Sequence, residues 1–227
     1  MQIETLADDA AVARRAAAFI AEQARAAVRS RGQFTLAVSG GRTPWAMLRA
    51  LAALELPWSQ LQLFQVDERV APAGDAVRNL TNIQASLLAH APLPAANVHA
   101  MPVEAADLQA AAREYAAALQ RVAGTPAVMD LVHLGLGADG HTASLVPGDA
   151  ALQVTDADVC LSGPYQGHRR MTLTYPLLNR ARCVLWLATG AEKREMVARL
   201  RAGDTGIPAG RVQSGNAWLL GDSAALA

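Results

Sequence analysis

The 227-residue sequence has a single lysine, Lys193, and two cysteines, and its acids and bases cancel to a formal net charge of zero. That neutrality removes the electrostatic footprint of a general nucleic-acid binder, so no nucleic-acid partner is expected. Cys160 and Cys183 both fall inside apolar stretches; two such thiols suit a reduced core and supply neither a disulfide framework nor a metal-ligand set. No segment approaches the roughly 18 consecutive apolar residues that a membrane span requires. The first nine residues carry acids where an export signal needs a basic start and an apolar run. These absences predict a soluble, cytoplasmic protein with no membrane partner. No internal repeat, low-complexity tract or dividing linker is visible, so residues 1–227 read as one domain.

What is present is an alternation of elements. Over residues 10–30, Val12, Phe19, Ile20 and Val28 recur at helical spacing with arginines between them, which predicts an amphipathic helix. Residues 33–38 form a short β-rich run, broken by Ser39-Gly40-Gly41-Arg42-Thr43-Pro44 before a helix over 45–54. Residues 61–66 repeat the strand signal and end at Asp67-Glu68-Arg69; a loop to Arg78 and a helix over 80–88 follow. A long helix spans about 105–122, and the apolar strand 129–134 runs into Gly135-Leu136-Gly137-Ala138-Asp139-Gly140-His141. Residues 158–161, 170–174 and 183–188 read as strands, 191–201 as a helix with Lys193 in its first turn, and 217–220 as a strand that closes the sheet. This order predicts a doubly wound, mostly parallel α/β sheet with helices on both faces. In such sheets ligands bind outside the carboxyl ends of the strands, where the three polar loops lie.

The loop Ser39 to Pro44 offers backbone N–H groups at a helix N-terminus, where the dipole and unpaired amides favour an anion such as phosphate. An ordinary tight turn with Pro44 opening a helix accounts for the same residues equally well. It is not a Walker A loop, because the Gly-Lys-Ser/Thr ending is absent. Gly135, Gly137 and Gly140 match the dinucleotide fingerprint, but Pro147-Gly148 interrupts the helix that fingerprint needs, which argues against a nicotinamide enzyme. Asp139-Gly140-His141 is more specific. Histidine suits proton transfer near neutrality, and the neighbouring carboxylate can orient the ring or stabilise its cation. His90, His99 and His133 read as structural. Arg69 suits an anionic or planar oxygen group, Glu68 either points outward or holds Arg69, and Arg170 and Lys193 are further cations for a phosphate. Ser39 and Ser144 lack the nucleophile elbow. Asp139 and His141 alone are too few to hold a metal, so no metal or organic cofactor is expected.

Taken together, residues 37–44 (AVSGGRTP), 67–69 (DER) with Asn79, 135–147 (GLGADGHTASLVP), 170–174 (RMTLT) and 189–193 (TGAEK) resemble the glucosamine-6-phosphate isomerase/6-phosphogluconolactonase family over nearly the whole chain. The resemblance implies the deaminase-like α/β fold. It also implies hydrolysis of 6-phospho-D-glucono-1,5-lactone to 6-phospho-D-gluconate in the pentose phosphate pathway. The partner would be this small phosphorylated sugar lactone, met by a monomer or small homo-oligomer. By the same resemblance Ser39, Gly40, Gly41, Arg42 and Thr43, with Arg170 and Lys193, hold the phosphate, and Asp67, Arg69 and His141 surround the sugar ring. His141, Asp139 and Arg69 are the candidate catalytic residues.

Three positions depart from the lactonase pattern: Ala138 where Glu is common, Val146 where Phe is common, and Val70 where an aromatic is frequent. They predict a pocket rim of different make. The deaminase branch carries an added Glu at the position of Val146, and its loss favours water attack over ring opening and enolisation. His141 is then the general base, with Arg69 or loop amides on the oxyanion. Two other readings stand beside this one: a glucosamine-6-phosphate deaminase/isomerase, and a non-catalytic sugar-phosphate sensor. The sensor is opposed by the lack of a helix-turn-helix or basic DNA-reading segment.

Overall fold

The computed structural model describes residues 1–213 and 215–227. Its strands are, in chain order, β1 (Gln2–Leu6), β2 (Phe34–Val38), β3 (Leu61–Gln65), β4 (Asp67–Arg69), β5 (Val98–His99), β6 (Leu131–Gly135), β7 (Val159–Tyr165), β8 (His168–Leu173), β9 (Val184–Ala188) and β10 (Ala217–Asp222). Seven of them form one sheet in the order β1-β10-β9-β6-β2-β3-β5, with every neighbouring pair parallel. The helices are α1 (Asp9–Arg31), α2 (Arg42–Ala52), α3 (Asn79–Ile83), α4 (Leu108–Ala123), α5 (Tyr175–Arg180), α6 (Arg194–Arg201) and α7 (Ser223–Leu226).

Local signals set the boundaries of α1. The Asp8 side chain accepts from Ala11 N–H at 2.7 Å at the start, and Gly32 at φ 78° ends the helix in the left-handed conformation only glycine adopts cheaply. All of β2 is buried, as a central parallel strand must be. Its side chains alternate between two cores. Phe34, Leu36 and Val38 pack with the buried faces of α1 and α2, whereas Ala37 joins the core under α4 and α6. The sheet is therefore covered on both faces, as the alternating pattern predicts.

The chain runs from β2 outward to β3 and β5, then returns to β6 on the other side of β2. This reversal is the topological switch point of the sheet, where the loops leaving β2 and β6 diverge and open a crevice.

Two expectations about the sheet need correction. Residues 217–220 do not close it, because β1 pairs outside β10. The segments expected at 158–161 and 170–174 belong to a separate antiparallel sheet, β4-β8-β7. The link between β7 and β8 is a two-residue turn, Gln166 (φ 52°) and Gly167 (φ 83°), which joins antiparallel strands and is far too short for a parallel crossover. Pairing of Asp67 with Thr172 and of Arg69 with Arg170 brings this small sheet over the crevice.

Candidate active site

The loop after β2 is fixed from behind. Ser39 N–H donates to Nδ1 of His133 at 3.3 Å, a bond that ties β2 to its neighbour β6. Burial pushes the His133 imidazole down to about 3, so it is neutral and free to accept, in keeping with its structural reading. A Cβ on Gly40 would lie 2.0 Å from Asn79 Oδ1, so only glycine permits this approach. Gly41 takes φ 137°, and α2 starts at Arg42 rather than Trp45. The glycine loop is thus the immediate N-terminus of that helix.

Asp67-Glu68-Arg69 is no solvated turn. Glu68 is fully buried. Its Oε1 accepts from the amides of Arg69 at 2.8 Å and Asn79 at 2.7 Å, and its Oε2 from Leu80 N–H and Gln65 Nε2, both at 2.8 Å. Glu68 therefore caps the first turn of α3, with Arg78 Nε at ion-pair distance, 3.2 Å. Arg69 is aimed by donating from its NH1 to Val77 O and Asn79 Oδ1, both at 2.8 Å. Asp67 accepts from Ser144 Oγ at 2.7 Å. Ser144 is fully buried and spends its proton on that carboxylate, which removes it as a nucleophile.

The loop after β6 is wound around His141. Gly137 N–H donates to His141 O at 2.8 Å, and a Cβ on Gly137 would lie 2.0 Å from the imidazole Nδ1. No helix follows the three glycines; a turn and an isolated bridge between Thr142 and Leu145 stand there, so the dinucleotide geometry is absent. Asp139 Oδ1 accepts from His141 N–H at 3.1 Å and contacts Nδ1 at 2.5 Å. A carboxylate at Nδ1 favours the tautomer with the proton on that nitrogen, which leaves a lone pair on Nε2.

Tyr165, which the sequence reading missed, donates its hydroxyl to Asp139 Oδ2 at 3.1 Å and meets the imidazole edge-on, with ring centroids 5.2 Å apart. Burial pushes the Asp139 carboxyl up. The bonds from the His141 amide and imidazole and from Tyr165 outweigh that effect and hold it below the ordinary value.

The cations come from two other elements. Arg170 in β8 is buried, with NH1 3.9 Å from Asp67 Oδ2 and its guanidinium 5.0 Å over the Tyr165 ring. Burial, then the nearby charge of Arg69, pushes the Arg170 guanidinium down from its ordinary value, with Asp67 opposing. An arginine remains charged throughout the working range. Arg170 Nε, Arg69 Nε and Ser39 Oγ are buried without a hydrogen-bond partner among the described residues. Buried charge with one distant carboxylate and unused donors favours an incoming anion. Lys193 stands in a short 3-10 turn, Ala191–Lys193, before α6 rather than in the helix's own first turn. The hydroxyls of Thr43 and Thr189, 2.9 Å apart, join the loops after β2 and β9.

One cleft of about 430 Å³ is walled by Ser39, Gly40, Gly41, Arg42, Thr43, Asp67, Arg69, His141, Arg170 and Lys193 together. Asp139 is not on its wall and stands behind the imidazole. Asn79, Thr189 and Glu192 also line it, although no role was read for them. Val70, Ala138 and Val146 are not among the residues that wall the cleft, although Ala138 is exposed between two that are, Gly137 and His141. Among the described residues no group of three or more His, Cys, Asp or Glu side chains is arranged to hold a metal ion. Among the described residues no helix is long and apolar enough to cross a membrane.

A family model described as glucosamine-6-phosphate isomerases/6-phosphogluconolactonase matches residues 7–220. A 6-phosphogluconolactonase of Synechocystis sp. is 38% identical over 205 residues, 88% of this chain and 85% of that protein. The crystal structure of a 6-phosphogluconolactonase from Thermotoga maritima superposes with a TM-score of 0.86 at 27% identity, covering 97% of this chain and 98% of that one. A monomeric glucosamine-6-phosphate deaminase superposes equally well, TM-score 0.86 over 99% and 98% of the two chains, at 18% identity. The fold is thus common to both activities, and the choice between them rests on the site.

Proposed function

The chain belongs to the glucosamine-6-phosphate isomerase/6-phosphogluconolactonase family, and from that premise we propose that it hydrolyses 6-phospho-D-glucono-1,5-lactone to 6-phospho-D-gluconate, with His141 as general base. The observation that supports this reading is one cleft walled both by cations with buried, unused donors and by an imidazole held at Nδ1. The Ser39 to Thr43 loop, Arg170 and Lys193 take the phosphate. Asp67 and Arg69 lie along the ring, and Nε2 of His141 faces the lactone carbonyl.

In the reaction, water attacks C1 as Nε2 takes its proton, and the tetrahedral oxyanion is met by Arg69 or loop amides. The C1–ring-oxygen bond then breaks, and the imidazolium returns the proton to the departing oxygen. The new carboxylic acid ionises at neutral pH. Asp139 supports the imidazolium without itself being protonated. Direct water attack uses no serine, in keeping with the buried bond of Ser144 to Asp67. A deaminase needs carboxylate proton traffic at the ring. Among the described residues Asp67 and Glu192 are the carboxylates on the cleft wall, and Val146 stands where the deaminase branch would place its additional Glu, which supports the hydrolase. We place the enzyme in the cytoplasm and in the pentose phosphate pathway, as one domain.

The test generates the lactone in situ and compares its loss with the spontaneous rate. Wild type should accelerate it, and His141→Ala should lose about 10²–10⁴-fold of kcat, the usual span of general base catalysis. Full activity in His141→Ala would remove it as the base. Ammonia release from glucosamine 6-phosphate, without lactone hydrolysis, would transfer the chain to the deaminase branch.

A further inference from the structure

We propose that Tyr165 is a positioning residue that acts through Asp139, holding the carboxylate so that His141 stays in the Nδ1–H tautomer. The inference rests on the hydrolase reading of the cleft. Asp139 is more than one-third exposed, 37%, and a carboxylate that open to water rotates freely unless both oxygens are held. Oδ1 is taken by the amide and Nδ1 of His141, and Oδ2 by the Tyr165 hydroxyl. An imidazole without such a partner populates both tautomers, and the Nε2–H form has no lone pair there to accept a proton from water. Tyr165 is itself anchored. It ends β7 beside the Gln166–Gly167 turn, pairs with His168, and has its ring under the Arg170 guanidinium, whose NH2 donates to Tyr165 O at 3.3 Å. One side chain thus touches both the proton-transfer pair and the buried cation of the anion site.

Tyr165→Phe removes the hydroxyl and keeps the ring under Arg170. It should lower kcat on the order of tenfold, the worth of a hydrogen bond to a charged but partly solvated group, with KM unchanged within about twofold. Tyr165→Ala should also raise KM. In an Asp139→Ala background, which leaves no side-chain acceptor at that position, Tyr165→Phe should have no further effect, because the hydroxyl's direct approach to His141 Nδ1, 3.5 Å, is at the outer limit of a hydrogen bond.

A second readout needs no turnover: imidazole ¹⁵N shifts at mildly alkaline pH, with His141 assigned by its loss in His141→Ala. Wild type should show the Nδ1–H tautomer, and Tyr165→Phe a mixture. An unchanged tautomer in Tyr165→Phe, or effects of the two substitutions that simply multiply, would overturn the proposal. If wild type fails to hydrolyse the lactone, the hydrolase reading falls, and the tautomer spectra alone decide the role of Tyr165.

Discussion

Two buried carboxylates at opposite ends of the parallel sheet are built from the same ingredients and differ in how far they are finished. Asp130, just before β6 at the amino end, is 8% exposed, and Asp67, past the carboxyl end of β3, is 4% exposed. Asp130 Oδ2 accepts from Thr35 N–H at 2.9 Å and Thr35 Oγ at 3.1 Å, and Oδ1 lies 2.8 Å from Arg31 NH2 and 3.5 Å from Arg182 Nε. Every lone pair has a donor, and the cluster ties α1, β2 and β6 together. Asp67 has one short bond from Ser144, a long one of 3.4 Å from Asn79, and Arg170 at 3.9 Å. Around it Ser39 Oγ, Arg69 Nε and Arg170 Nε have no hydrogen-bond partner among the described residues. The lesson is that a closed polar cluster staples the fold, whereas an open one is kept for a ligand.

Asp130→Ala should break the closed cluster at the largest cost, about 3 kcal/mol of stability in urea unfolding. The main cause is Thr35 N–H, left buried without an acceptor. The guanidinium pairs contribute little, since Arg31 and Arg182 are 40% and 52% exposed and screened. Lactone hydrolysis per folded molecule should not change. A stability loss below about 1 kcal/mol would mean that the cluster is not the staple its bonding implies.

His133 lies on the strand that joins the two ends, and its effect appears with pH. In the unfolded chain its imidazole protonates below about 6.5; in the folded protein burial keeps it neutral down to about 3. Between those values the unfolded state binds more protons, so stability is complete above that window and falls as pH drops through it. The loss reaches about 2 kcal/mol by about pH 5. His133→Asn keeps an acceptor for Ser39 N–H and removes the titration, so the slope of stability between about pH 6 and 4.5 should flatten whatever happens at neutrality. An unchanged slope would assign the acid sensitivity to other groups.

Legibility in the sequence followed the range of the interaction. The central strands β2, β3, β6 and β9 and the helix α1 were readable because continuous apolar runs and helical spacing are local signals. The pairing of Asp139 with His141, two residues apart, was legible for the same reason. The edge strand β1 was missed because it is half-exposed and has no apolar run. The hairpin of β7 and β8 was placed in the wrong sheet, since strand length says nothing of partners. Tyr165 reaches Asp139 across 26 residues, and Glu68 turns inward to cap a helix that begins 11 residues on. Neither leaves a pattern along one dimension.

Lys193 sharpens the contrast at its smallest scale. In a chain whose other basic residues are all arginine, composition alone makes its identity uninformative. What singles it out is its position on the cleft wall, with no carboxylate within ion-pair reach of it among the described residues. Such an ammonium stabilises nothing in the free protein, so Lys193→Ala should shift stability by less than about 0.5 kcal/mol. It should nevertheless raise KM on the order of tenfold with kcat nearly constant, because a lost phosphate contact weakens ground state and transition state alike. Lys193→Arg should restore only part of the affinity, since a planar fork replaces a compact charge. A fall in kcat at constant KM would place the ammonium at the reacting carbonyl, and the division of the cleft into an anion end and a chemical end would have to be redrawn.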